Sequence, residues 1–130
     1  MDGIKIPESA QKKGLNKLNS KRKGNAAERE LVAILKAHGV DAWRNDQRYI
    51  GGEENPDVQA CGPLAGFHFE VKRTERLDLP GAFRQAERDC GNRIPAVVHR
   101  RNREKWKITM YFDDFLILKG VKEWRKTDKL

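Results

Sequence analysis

Residues 66–73, Gly66-Phe67-His68-Phe69-Glu70-Val71-Lys72-Arg73, alternate apolar and polar positions with a period of two. In a strand, that period sends Phe67, Phe69 and Val71 toward a core and His68, Glu70 and Lys72 to the opposite face. Upstream, residues 26–38 follow a helical period instead, with Ala27, Leu31, Ile34, Leu35 and His38 on one face. Gly39 is placed to stop that helix, because glycine adopts positive φ readily. Asn25 followed by Glu28 is the pattern of a capping box, which on local grounds is the favoured role of Glu28. Both Glu28 and Glu30 fall on borders of the apolar face, so the helical wheel does not choose between them.

The pattern continues in short segments. Residues 41–45 read as a strand carrying Trp43, and residues 46–55 as a polar, glycine-bearing loop closed by Pro56. Asp57-Val58-Gln59 begins a second strand, which a turn at Cys61-Gly62-Pro63 returns to residues 66–73 as a hairpin. Such a hairpin brings Asp57 beside Glu70, and a preceding proline biases the aspartate to an extended start. A polar connector leads to a helix over residues 80–90, with Ala82, Phe83, Ala86 and Cys90 as its buried stripe and Gly91 at its end. Residues 94–99 form a buried strand without a polar break, a basic turn covers 100–105, and residues 106–111 alternate again. Asp113 is expected to cap a last helix through Phe115, Leu116 and Leu118. The order helix, three strands, helix, two strands, helix predicts an α/β fold, a mixed sheet flanked by helices.

Composition adds a bias toward polyanions. The 130 residues hold 27 Lys and Arg against 19 Asp and Glu, a net charge of +8, with a pI near 9.7. Residues 1–22 form a basic arm with sparse apolar positions, expected to be mobile with a helical turn around Leu15 and Leu18. A DNA-contacting role and a solubilising role are equally open for it. Residues 23–120 form the single domain and residues 121–130 a charged tail. No apolar run is long enough to span a membrane, and no secretory h-region leads the chain. Cys61 and Cys90 match no metal pattern, and Cys90, at apolar helical spacing, reads as a reduced core residue. A cytoplasmic protein is expected.

The chemistry-bearing stretch is Asp57 with Glu70-Val71-Lys72. Two carboxylates and an ammonium on rigid strands are the parts of a Mg2+-dependent phosphodiesterase, the carboxylates holding the ion and Lys72 placing water. As an isolated tripeptide, Glu-x-Lys is commonly a solvated pair of little energetic weight. Gln85 is equally open as a surface glutamine.

Taken together, the motifs resemble the PD-(D/E)xK nuclease superfamily, and within it the archaeal-type Holliday junction resolvases and their phage-encoded relatives. Lys23-Gly24-Asn25-Ala26-Ala27-Glu28-Arg29-Glu30-Leu31-Val32 resembles that family's opening, Pro56-Asp57 its PD element and Glu70-Val71-Lys72 its ExK element. Gln85-Ala86 resembles the glutamine of the following helix. Each motif is weak alone, but four in order with fitting spacers are specific, and they span roughly residues 23–118. The resemblance implies a restriction-endonuclease-like core in a prokaryotic or phage-infected cell. It makes Glu28, Asp57, Glu70, Lys72 and Gln85 the catalytic set. Asp57, Glu70, the Val71 carbonyl and Glu28 would ligate Mg2+, with Mn2+ as a substitute. Glu30 is then left at the surface, and His68 is a neighbour of the site rather than a base.

Lys21, Arg22, Lys23, Arg44, Arg73, Arg100, Arg101 and Arg103 are the candidate phosphate contacts. The implied partner is branched or four-way DNA, and a two-fold substrate implies a homodimer, for which Trp106, Tyr111, Phe112 and Phe115 offer candidate surface. A sequence-specific or nicking endonuclease and a catalytically inactive DNA-binding module are the alternatives. The loop at residues 45–55 lacks the serine of the archaeal pattern, which bears on junction specificity more than on hydrolysis.

Overall fold

The computed structural model describes residues 8–44 and 56–121, with side chains from residue 22 onward. Its elements are α1 (Glu8–Ala37), β1 (Ala42–Arg44), β2 (Val58–Ala60), β3 (Phe67–Arg73), α2 (Leu79–Asp89), β4 (Ile94–Arg100), β5 (Lys107–Thr109) and α3 (Phe112–Leu118), with a 3-10 turn at Gly62–Leu64. The sheet runs in the order β1-β2-β3-β4-β5. Only β3 and β4 are parallel; β1–β2, β2–β3 and β4–β5 are antiparallel. Because α2 lies between β3 and β4 in the chain, it supplies the crossover that a parallel pair requires. The α/β fold with a mixed, helix-flanked sheet is thus the one expected from the pattern.

The two faces of β3 go to different layers. Phe67, Phe69 and Val71 are buried with Ala27, Leu31 and Val32 of α1, Val58 of β2 and Ala96 and Val98 of β4. The rings of Phe67 and Phe69 stack with centroids 5.0 Å apart. On the other face, Val97 of β4 packs with Ala82 and Ala86 of α2, flanked by Leu77, Leu79 and Phe83. His68 and Glu70 share this second face and are buried with it. Sequence alternation therefore places the polar side chains of β3 under α2 rather than in open solvent.

Element ends follow local chemistry, with two departures. Gly39 has φ +80°, and the Val40 N–H reaches the Leu35 carbonyl while Gly39 N–H reaches that of Lys36. This double closure ends α1 as expected. Asp78 caps α2 by accepting from Gly81 N at 3.0 Å. The first departure is the start of α1, at Glu8 rather than residue 26. Asn25 is therefore a mid-helix residue and not a cap. Ala10, Gln11, Lys12, Lys13, Leu15, Lys17 and Leu18 favour helix by propensity, a signal that a search for an apolar stripe does not register. The second departure is α3, where Tyr111 is the N-cap residue and Asp113 lies in the first turn. Its charge still suits the positive end of the helix. Cys90 sits at the α2 C-cap, half-buried and free, and Cys61 is exposed and free. The loop at residues 46–55 lies outside the described residues.

Candidate active site

The site starts from register. Val58 of β2 faces Phe69 of β3 in an antiparallel pair, so one step further Asp57 falls opposite Glu70. Asp57 is locked at this point from both ends. Its N–H donates to the Phe69 carbonyl at 2.9 Å, and its Oδ2 accepts from Val71 N at 3.0 Å. Pro56 ahead of it is wholly buried, which fixes the chain's approach. The hairpin expectation for Asp57 and Glu70 is met.

Electrostatics record how close the two carboxyls are. Burial, reinforced by the charge of Glu70 and a hydrogen bond with it, pushes Asp57 up to about 7; the charge of Glu28 adds to the rise and the Val71 N–H opposes it. Asp57 therefore keeps its proton well above the ordinary carboxylate range, as a carboxyl desolvated beside a like charge does. Glu70 is 3 % exposed, and its Oε1 stands 3.2 Å from Nε2 of His68.

Lys72 follows Glu70 on the same face, half-buried, with His99 of β4 as its register neighbour. It forms no ion pair among the described residues. Glu28 is drawn to Arg44 instead, whose Nε donates to its Oε2 at 2.9 Å. Gln85 is half-buried on α2, and no hydrogen bond joins its amide to Asp57, Glu70 or Lys72. The structure thus sets Asp57 opposite Glu70 with Lys72 on the same face of β3, keeps Glu28 within electrostatic reach of Asp57, and joins Gln85 to none of them by a hydrogen bond.

A divalent cation fits this arrangement as a pair of carboxylates. No group of three or more His, Cys, Asp or Glu side chains among the described residues forms a ready cage. Mg2+ does not need one. It is commonly held by one or two carboxylates, keeping waters and substrate phosphates as its other ligands. The proton that Asp57 retains is what a cation would displace.

The basic residues divide into two groups. Arg44 is buried on Glu28. Arg73 and Arg100 both converge on Glu30: Arg73 Nη1 at 3.1 Å, Arg100 Nε at 3.0 Å and Nη2 at 2.9 Å. The Trp106 indole N–H donates to the same carboxylate at 2.9 Å, and Arg100 stacks over the Trp106 ring at 5.2 Å. Glu30 is therefore no surface residue but a junction between α1, β3, β4 and the approach to β5. These partners, Arg100 foremost, hold its carboxyl below the usual range against an opposing effect of burial. The wheel placed Glu30 on a border, and only the long-range approach of Arg73 and Arg100 shows its role. Arg22, Arg101 and Arg103 are exposed and Lys23 is half-buried; the Lys21 side chain lies outside the described set. Arg103 sits at φ +61° in the turn before β5.

Fold and site together define an α/β protein with a closely opposed carboxyl pair, Glu70 buried and Asp57 half-buried, and a lysine at the central strands of a mixed sheet. The family model of archaeal Holliday junction resolvase (Hjc) matches residues 19–79, a stretch just short of half the chain that contains Glu28, Asp57, Glu70 and Lys72. The resemblance read from the motifs is to this same family, and it stands over that stretch. Among solved structures, this chain is similar to Archaeoglobus fulgidus Hjc, a Holliday junction resolvase from an archaeal hyperthermophile. The TM-score is 0.49 at 22% identity, covering 67% of this chain and 76% of that one. No curated protein matches the sequence. Among the described residues, no helix is long and apolar enough to cross a membrane.

Proposed function

We propose that this protein is a divalent-metal-dependent endodeoxyribonuclease of the Holliday junction resolvase kind, hydrolysing phosphodiesters in four-way or branched DNA. The observation that carries the reading is the Asp57–Glu70 pair, a half-buried and a buried carboxyl opposed at the start of β2 and on β3. The family match over residues 19–79 supports the choice of substrate. Asp57 and Glu70, with the Val71 carbonyl, would hold Mg2+ or Mn2+, and Glu28 would join them directly or through water. Bound there, the ion supplies Lewis-acid polarisation of the scissile phosphate and neutralises charge that develops on it. Lys72, free of any carboxylate among the described residues, orients the attacking water through its ammonium protons and steadies the same charge. Arg44 competes with that assembly for Glu28, so it serves the site rather than the DNA.

Phosphate contacts fall to the exposed cations, Arg22, Arg101 and Arg103, together with Lys21 and Lys23 of the basic stretch of α1. Such contacts position a duplex without reading its bases. Two symmetric cuts at a four-way junction need two sites, which an isologous dimer provides. The surface at α3 supports that assembly: Phe112 is 69 % exposed, and Tyr111, Phe115, Ile117 and Leu118 are also exposed. Trp106 turns inward to Glu30 and the core.

The test is cleavage of a synthetic four-way junction beside a linear duplex of the same sequence, with and without Mg2+. Preferential, Mg2+-dependent cutting of the junction is expected. Equal cutting of both substrates would favour a duplex or nicking endonuclease, and no cutting with any divalent ion would leave a binding module.

A further inference from the structure

We infer that His68 is a positioning residue for the metal-binding carboxylate of Glu70. The inference rests on the reading of Asp57 and Glu70 as a cation site and goes beyond it, since no motif marks the histidine. Three observations converge. His68 is wholly buried, at 0% exposure, on the face of β3 that carries Glu70 and Lys72. Its Nε2 stands 3.2 Å from Glu70 Oε1. Its other ring nitrogen, Nδ1, is buried with no hydrogen-bond partner among the described residues.

A carboxylate that binds a cation is ionised and only accepts hydrogen bonds, so with Glu70 as a metal ligand the imidazole nitrogen facing it carries the proton. That choice makes the ring the Nε2–H tautomer and leaves Nδ1 as a buried acceptor without a partner among the described residues. Leaving a buried polar atom unpaired is unfavourable, and an apolar side chain of similar size would avoid it. What the imidazole does at this position is therefore found at Nε2. The bond fixes one oxygen of Glu70 and with it the torsion of its side chain. Groups that hold a ligand from behind in this way set its orientation and basicity, and their loss typically weakens metal binding by about 10–100-fold. With one end of the ring buried against the sheet, His68 has no route to solvent by which to act as a proton carrier.

The experiment measures Mn2+ affinity of the full chain by calorimetric titration, independent of cleavage, for wild type, His68→Leu, His68→Asn and Glu70→Gln. Glu70→Gln is expected to lose binding; if it binds Mn2+ as wild type does, the cation-site reading fails and this inference with it. With that control lost, His68→Leu should bind about 10–100-fold more weakly, and His68→Asn, which keeps an N–H donor, should recover part of the difference. Wild-type affinity in His68→Leu would overturn the positioning role while leaving the cation site intact. So would a folded His68→Asn as weak as His68→Leu. Should His68→Leu not fold, the wild-type ring decides: long-range proton–nitrogen correlation spectra should show the Nε2–H tautomer, and the Nδ1–H tautomer would overturn the inference.

Discussion

Asp57 holds its proton to about pH 7 because it is buried beside Glu70. In the unfolded chain, the same carboxyl ionises near the ordinary value of about 3.9. Between those two points the folded state binds more protons than the unfolded one, so stability falls as pH rises from about 4 to about 7 and levels off above. In EDTA, the melting temperature should drop by several degrees across that window, and Asp57→Asn should remove most of the drop. A profile for Asp57→Asn that parallels wild type would show that the proton resides elsewhere. Asp57→Asn and Glu70→Gln should each abolish Mg2+-dependent cleavage while leaving DNA binding intact or tighter, because each removes a negative charge facing phosphate. Native cleavage rates in either variant would displace the site.

Among the elements, α1 has two duties that separate along its length. Its C-terminal half packs Ala27, Leu31 and Val32 on the sheet and sends Glu30 to Arg73, Arg100 and Trp106. Glu30→Ala removes four hydrogen bonds from charged or indole donors at one stroke, leaving Arg73 and Arg100 partly buried without a counter-charge. A loss of about 2–3 kcal/mol is expected in urea unfolding, and a variant within about 0.5 kcal/mol of wild type would reduce Glu30 to a surface residue. The stability that Glu30 provides is present at neutral pH and lost as pH falls through the carboxylate range, because its folded-state carboxyl is held low. The N-terminal half is basic and lies ahead of Ala27, the first core residue among the described side chains of α1. Deleting residues 1–22 should therefore spare hydrolysis at saturating enzyme but weaken DNA binding and flatten its salt dependence. Each lost phosphate contact takes about 0.9 from the slope of log affinity against log salt. An unchanged slope would make that stretch a solubilising segment.

For the molecule as a whole, the proposed reaction sets the assembly. One chain presents one Asp57–Glu70–Lys72 site, whereas a four-way junction is a two-fold object requiring paired incisions. The exposed apolar side chains of Tyr111, Phe112, Phe115 and Leu118 lie together on and beside α3, and Phe112 stacks on Phe115. A second copy of the chain is the occupant proposed for this face. Light scattering at micromolar protein should report a dimer, and Phe112→Glu with Phe115→Glu should return it to a monomer. That monomer should still bind junction DNA but fail to make coordinated cuts. A wild type that stays monomeric with and without junction DNA would remove the resolvase reading and favour a nicking enzyme.

Periodicity alone was enough for the β3 alternation, the hairpin that opposes Asp57 to Glu70, and the Gly39 stop, because each depends on residues close in sequence. The acidic pair and Lys72 were legible for that reason. The helical backbone of residues 8–25 was hidden because a polar helix carries no apolar stripe, only propensity. The fates of Glu30, Arg44, Arg73 and Arg100 were decided by tertiary structure: each pairs with a partner 16 to 70 residues away, and no local pattern encodes such a meeting. The same holds for His68. Sequence put it on the face of Glu70, but only the packing of α2 over β3 buries the ring there, where its one hydrogen bond reaches the Glu70 carboxylate.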